Sequence, residues 1–323
     1  MSERFFIAGG AGFIGSRFVD RLLARPEVDQ VTIYDNYSSG RRWHHAGHDD
    51  DSRFAPVEGD VRDLDRLRRA MEGHHVVIHL ASNPDIAAAV TNPAIDFDQG
   101  TVLTHNVLEA MRTTSAHRIL YASGSGVYGD LGHLEVPEDR GPLLPVSTYG
   151  ASKLAGEALV SAYVAMFGLT ACVFRFGNVV GPRQTHGVGF DFVRRLRKDA
   201  TCLSILGDGS QSKSYIHVDD VVSAVLLAHR GTSRPYQAYN VATGDSITVT
   251  DIAALAIDVL GLEPGGVRLD YTGGDRGWKG DVPIVRLDTR RIRALGWRPS
   301  AGSAEALANA MQALAQEEDA GLL

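Results

Sequence analysis

Two patterns alternate along the first half of the chain. Short apolar runs, "RFFIAGG", "QVTIYDN", "HVVIHLAS", "HRILYAS" and "LTACVFRF", are rich in β-branched and aromatic residues and end in glycine, asparagine, serine or a turn. Between them, "FIGSRFVDRLLAR", "LDRLRRAMEG", "VLTHNVLEAMRT" and "KLAGEALVSAYVAMFG" place apolar residues at helical spacing. The first pattern predicts strands buried on both faces, the second helices with one apolar stripe. Their repetition predicts a parallel sheet covered on both sides. Beyond about residue 177 glycine-rich stretches such as "NVVGPRQTHGVGF" and "GDGSQS" dominate, with helices expected near 217–229, 248–260 and 302–316. The expected class is α/β: a doubly wound parallel sheet over 1–176, then a smaller mixed α/β substrate-binding region over 177–323. The boundary is approximate and elements of the two are free to interleave.

Composition narrows the function classes. With 323 residues, 44% hydrophobic and 22% charged, the chain is long enough for such a core and a second region. A net charge of −7 argues against general nucleic-acid binding. No apolar run reaches bilayer length, and glycines interrupt the N-terminal run before it reads as a secretory leader, so a cytoplasmic protein without a membrane partner is expected. Cys172 and Cys202 sit in apolar segments without metal-ligand spacing and read as buried thiols. His44, His45 and His48, followed by Asp49–Asp51, have ligand-type side chains but no ordering element; they read as a solvated loop, and no metal is expected.

The turn after the first strand carries chemistry. "GGAGFIGS" places Gly9, Gly12 and Gly15 between a strand and a helix, with Phe13 and Ile14 opening the helix. Glycines there permit a tight turn and close approach of backbone to a pyrophosphate, whose charge the helix N-terminus attracts. The spacing is G-x-x-G-x-x-G, a variant of the simplest dinucleotide fingerprint, and it predicts a Rossmann-type core. Asp35, ending the next strand, suits two ribose hydroxyls and repels a 2′-phosphate, so NAD is expected over NADP. Asp60 after a later strand suits the adenine amino group, and Leu80, Ala81 and Ser82 end another.

Tyr149 and Lys153, in "YGASK", stand one helical turn apart and share a face. The chain has ten tyrosines and only four lysines, so a chance pair on a surface helix is the plain alternative. A phenol with a pKa near 10 is about 0.1% ionised at pH 7, and a lysine ammonium and a nicotinamide cation both favour its charged form. Beside a nucleotide fingerprint, the pair reads as a base that takes a hydroxyl proton while NAD takes the hydride.

With these motifs assembled, the chain resembles the extended short-chain dehydrogenases/reductases that act on nucleotide sugars, including UDP-glucose 4-epimerase-like members. The resemblance rests on "GGAGFIGS", "YDNYSSG", "GDVRD", "HLAS", "YASGSGVYGD", "STYGASK", "RFGNVVGPRQ", "GDGSQSKSYIHVDDVV" and "GDRGWKGDVP". It implies bound NAD, catalysis by Tyr149 and Lys153, and a homodimer through a helix bundle. It adds Asn36, Ser38, Gly40, Val61 and Phe176 to the cofactor contacts. Substrate contacts are implied at Ser123, Ser125, Asn178, Val188, Leu203, Ile205, Lys213, Tyr215, Arg276 and Asp281.

Five departures bear on substrate and reaction; in one, an R-x-G-D pattern near the C-terminal region reads Trp278-Lys279-Gly280-Asp281, leaving Arg276 or Lys279 as the diphosphate cation. Where relatives place Ser or Thr four residues before the tyrosine of "VYG", this chain has Gly124, and Ser125 is the expected substitute hydroxyl. Dehydratases follow that position with an acidic pair; here Ser125 and Gly126 follow. Lys213 and Ser214 replace a frequent Arg-Asp, and Gly100 stands where asparagine is common. The expected activity is an NAD-dependent NDP-sugar 4-epimerase passing through a 4-keto sugar, with a UDP-sugar slightly favoured. The alternatives are a dehydratase or decarboxylase sharing the C4 oxidation, and a catalytically silent NAD-binding regulator.

Overall fold

The computed structural model describes residues 3–322. Its first apolar run forms strand β1 (Glu3–Ala8), in which Phe5 and Ile7 alternate with Phe6 and Ala8, all buried. Six further strands join it: β2 (Val28–Asp35), β3 (Phe54–Glu58), β4 (Val76–His79), β5 (Arg118–Gly124), β6 (Thr170–Phe176) and β7 (Tyr236–Val241). They form a single sheet of order β7-β6-β5-β4-β1-β2-β3. The pairs β1–β2, β2–β3, β1–β4 and β4–β5 are parallel. The winding direction reverses between β1 and β4, and in doubly wound sheets the carboxyl ends flanking such a reversal bind the ligand.

Helices cover both faces, which is why the strands read as unbroken apolar runs. On the face of Phe6 lie α2 (Leu64–Met71), α3 (Leu103–Arg112) and α4 (Thr148–Phe167), joined through Leu67, Met71, Val107, Met111 and Val160 in one cluster. Helix α1 (Phe13–Leu23) buries Phe18, Val19 and Leu22. Phe5, on the opposite face, meets the His229 ring edge-on at 5.8 Å from the helix Val218–Gly231.

The structure divides into two compact, sequence-interleaved units. One runs to Val127 and adds Thr148–Arg175 and Ala224–Tyr239; it holds the sheet. The other comprises Tyr128–Ser147, Phe176–Ser223 and Asn240 onward. In the second unit the helices Val188–Lys198, Val249–Val259 and Ser303–Asp319 share a core with the strands Cys202–Ile205 and Tyr215–His217. Ser303 ties it together: its hydroxyl accepts from Tyr215 N at 2.9 Å and donates to Asp245 at 2.6 Å.

Strand β7 was not expected, because Gln237 and Asn240 interrupt its apolar pattern. Asn240 is fully buried, yet its amide donates to the carbonyls of Val136 and Asp288 and its oxygen accepts from Tyr128. A polar residue with every group satisfied sits in a core without large cost. Cys172 is buried as expected, but Cys202 is only half-buried, with its thiol 3.2 Å from Asp270. The histidine loop is not solvated at His44 and His45, which are buried and contact the Ala11 carbonyl and the Tyr37 hydroxyl.

Helix α4 lies unusually near β5. A Cβ at Gly156 would sit 2.1 Å from the Tyr121 hydroxyl, so only glycine allows the approach. One residue on, Glu157 is buried and takes two bonds from Arg175, at 2.6 and 2.9 Å, and one from Ser123 at 2.6 Å. A buried pair of this kind is fragile to loss of one member, because the other charge remains desolvated. Arg175→Met is expected to destabilise the protein by ~3–5 kcal/mol, and the double change Arg175→Met/Glu157→Met by much less. Urea unfolding measures both; equal losses would show that packing, not the stranded charge, sets the cost.

Candidate active site

The glycine turn has the geometry a dinucleotide needs. Gly9 has φ +83°, and a Cβ on it would lie 2.7 Å from Ala81 N at the end of β4. Helix α1 then starts from Gly12 without a side-chain cap, leaving its first N–H groups for an anion. Phe13 and Gly15 are buried in that turn, with Ile14 half-buried. Asp35 is buried at the end of β2, its carboxylate accepting from Ala11 N at 2.9 Å and Tyr37 N at 2.8 Å. Burial raises its pKa, opposed by those two N–H groups. Gly40 packs on Ala11, while Asn36 and Ser38 are exposed beside it. These features fit NAD: a cradle that a side chain would fill, an uncapped helix start, and a carboxylate at the ribose position.

Asp60 is already engaged. Arg62 binds it at 2.6 Å through Nη2, and Asn36 donates to it at 3.3 Å. The Arg62 hydrogen bond comes first among the causes that hold its pKa at about 2. Val61 is buried next to it.

Tyr149 and Lys153 do share one face of α4, with the Lys153 Nζ 5.5 Å from the Tyr149 ring centroid and 5.5 Å from that of Tyr121. Lys153 is buried and donates to the Ala122 carbonyl on β5 at 2.9 Å. Burial pushes its pKa down to about 8, against the pull of Asp96. Burial also pushes the Tyr149 phenol up to about 12; the Ser82 hydroxyl lowers it and Asp96 raises it. Sequence reasoning missed Asp96, which belongs to no motif. Its carboxylate accepts from Asn83 at 2.9 Å and from Thr148 at 2.7 Å.

Around this pair the serines divide. Ser123, expected at the substrate, is buried with its hydroxyl committed to Glu157. Gly124 ends β5 in open space: a Cβ there meets nothing within 4 Å. Ser125 begins a short helical turn and is half-buried. Ser82, expected at the cofactor, has its hydroxyl oxygen buried without a partner of regular hydrogen-bond geometry. Gly100, the asparagine position, differs from Gly124. It lies in a π-helical turn (Phe97–Val102) where a Cβ would come 2.5 Å from Ser152 Oγ.

The remaining expected substrate residues lie in the second unit, with Phe176 buried at its edge. Asn178 is exposed and donates to the Ser214 carbonyl at 3.2 Å. Val188 is half-buried at the start of its helix. Lys213 donates to Asp281 at 2.5 Å, and Gly277 N donates to the other carboxylate oxygen at 3.1 Å. Arg276 is fastened to Asp130 and to the Asp281 carbonyl, each at 2.5 Å. Tyr215 is buried, and burial raises its pKa. Leu203 and Ile205 turn their side chains into the core, leaving only their backbone for a ligand; Leu206, next in line, is half exposed.

The depressed Lys153 gives a stability prediction. A lysine whose pKa is about 8 when folded and 10.5 otherwise opposes folding at pH 7, and stability rises as pH climbs through that interval. Lys153→Met is therefore expected to stabilise the cofactor-free protein at pH 7 by ~1–3 kcal/mol, and to flatten the rise between pH 8 and 10.5. Thermal unfolding across that range measures it; a destabilised variant would mean that the bond to Ala122 outweighs desolvation.

Residues 5–242 match the sequence profile of the NAD dependent epimerase/dehydratase family. The UDP-glucose 4-epimerase of Mycolicibacterium smegmatis is 32% identical over 316 residues, 96% of this chain and 97% of that one. A crystal structure of a UDP-galactose 4-epimerase superposes with a TM-score of 0.86 at 36% identity, covering 97% of this chain and 99% of that one. The DesIV double mutant, a dTDP-glucose 4,6-dehydratase from Streptomyces venezuelae with NAD and DAU bound, gives 0.89 at 29% identity, covering 98% of both. Among the described residues no helix is long and apolar enough to cross a membrane. Motifs, strand order and likeness agree: the chain belongs to the NAD-dependent epimerase/dehydratase family of extended short-chain dehydrogenases/reductases, and NAD is its cofactor.

Proposed function

We propose that the protein is an NDP-sugar 4-epimerase, with a UDP-sugar as the favoured substrate. The observation that carries this reading is the end of β5. Open space at Gly124 is followed by Ser125 and Gly126, with no carboxylate to remove a C5 proton or protonate a leaving 6-hydroxyl. The Tyr149–Lys153 face supports C4 oxidation, which epimerases and dehydratases share. The epimerase and dehydratase relatives support both reactions, and the missing acids are what favours the epimerase.

When bound, NAD supplies the hydride acceptor at C4 and, on the return, the donor. The chain's own residues manage the proton. A phenol with a pKa of about 12 costs ~7 kcal/mol to ionise at pH 7, so Tyr149 is not a ready base in the empty site. The protonated Lys153, 5.5 Å from its ring, favours the phenolate, as does any cation that binds beside it. Tyr149 then takes the proton of the 4-hydroxyl and returns it after the flat 4-keto sugar has turned over.

Two experiments test the reading. With C4-deuterated NDP-sugar, the product is expected to keep deuterium at C4 with inverted configuration and no loss of water; a 4-keto-6-deoxy sugar as main product would overturn the epimerase in favour of the dehydratase. Tyr149→Phe is expected to bind NAD normally and lower kcat at least ~100-fold, the effect of a lost general base. Turnover within a few fold of the parent would remove Tyr149 from the proton path.

A further inference from the structure

We propose that Ser82 supplies the hydroxyl that Gly124 lacks, donating a hydrogen bond to the Tyr149 oxygen and stabilising the phenolate form of the base. The inference rests on the reading of Tyr149 as the proton acceptor. Three observations lead to it. The end of β5 offers Tyr149 no hydroxyl at 124, and the Ser123 hydroxyl next to it is spent on Glu157. The Ser82 oxygen is buried without a regular partner, so its proton is uncommitted in a place where water does not reach it. A buried hydroxyl in that condition is costly unless something uses it.

The third observation is that one carboxylate holds together the segments that carry Ser82 and Tyr149. Asp96 bridges the residue after Ser82 to the residue before Tyr149: Asn83 Nδ2 donates to one carboxylate oxygen at 2.9 Å and Thr148 Oγ1 to the other at 2.7 Å. Asn83 further donates to the Asp85 carbonyl at 2.8 Å and accepts from Asp85 N at 3.0 Å, which fixes the turn after β4. The residues next to Ser82 and next to Tyr149 are thereby locked to one carboxylate, which brings the uncommitted Ser82 hydroxyl and the phenol to the same place, and that hydroxyl lowers the phenol's pKa. The charged and titratable groups facing Tyr149 are Asp96, Lys153 on its own helix and Tyr121 on β5. Asp96 opposes ionisation and Lys153 favours it; Ser82 adds a neutral donor that strengthens as the oxygen becomes charged. No proton is transferred to or from Ser82: the sugar 4-hydroxyl loses its proton to Tyr149, and the serine keeps its own.

The test uses the NAD-loaded protein. The ionisation midpoint of Tyr149 is read without sugar, from near-ultraviolet phenolate absorbance taken as the difference between each protein and its Tyr149→Phe counterpart. Ser82→Ala is expected to raise that midpoint by about one to two pH units, the worth of a hydrogen bond to a charged group. Ser82→Thr is expected to keep it near the parent value. Single-turnover reduction of bound NAD by an NDP-sugar at pH 7 is expected to slow at least ~10-fold in Ser82→Ala, with NAD affinity within threefold of the parent. Gly124→Ser in the Ser82→Ala background is expected to restore part of the rate, since its side chain enters open space.

An unchanged midpoint in Ser82→Ala overturns the proposal, whether or not NAD affinity falls. A midpoint that moves in Ser125→Ala but not in Ser82→Ala assigns the hydroxyl to Ser125 instead. Failure of the parent to reduce its NAD with any NDP-sugar would sink the epimerase reading while leaving the sugar-free titration to judge Ser82.

Discussion

One close approach governs the reactive face: α4 rests on β5 at a distance that residue 156 can meet only as glycine, against the Tyr121 ring. From it follow the reach of Lys153 Nζ to the Ala122 carbonyl and the burial of Glu157 over Ser123 and Arg175. Both contacts lie one turn apart on the same helix and fasten it to β5 and β6. The helix therefore presents Tyr149 at its first turn with the angle already set, before any ligand arrives. A reaction geometry held by packed elements loses less to thermal motion than one held by loops.

The same packing makes the resting site electrostatically reluctant. Desolvation drives the Tyr149 phenol up and weakens the Lys153 ammonium, which at pH 7 stays mostly protonated, so the phenol is the group held away from its charged form. Asp96 steadies the ammonium but works against the phenolate. A bound cation beside the phenol shifts this balance toward the phenolate, which couples generation of the base to occupation of the site.

Much of this was legible from residues alone. The five apolar runs and the helix periodicity anticipated the sheet, because burial on both faces leaves an unbroken pattern. The glycine turn and Tyr149–Lys153 were legible because each is a local spacing. What escaped were relations between distant segments. Asp96 carries no motif, and only the fold joins it to Asn83 and Thr148. Strand β7 was hidden by Asn240, whose three hydrogen bonds come from chain far away in sequence. Leu203 and Ile205 were assigned to the ligand when strand alternation turns them inward. Ser125 was preferred to Ser123 as the substitute hydroxyl from sequence alone, and the structure shows what holds Ser123 away: burial and the bond to Glu157.

Two glycines stand where relatives carry polar side chains, and the structure gives them opposite meanings. At Gly100 the space is filled: Ser152 occupies it, the helix takes a π turn there, and the Thr104 hydroxyl bonds the Gly100 carbonyl at 2.8 Å. That loss is compensated by packing, so an asparagine has no room to return. At Gly124 a Cβ would meet nothing within 4 Å, so a side chain there has room. In the proposed reading, support for the phenolate falls to another strand end, and the carboxyl end of β4, joined through Asn83 and Asp96 to Thr148 next to Tyr149, is the one placed to give it.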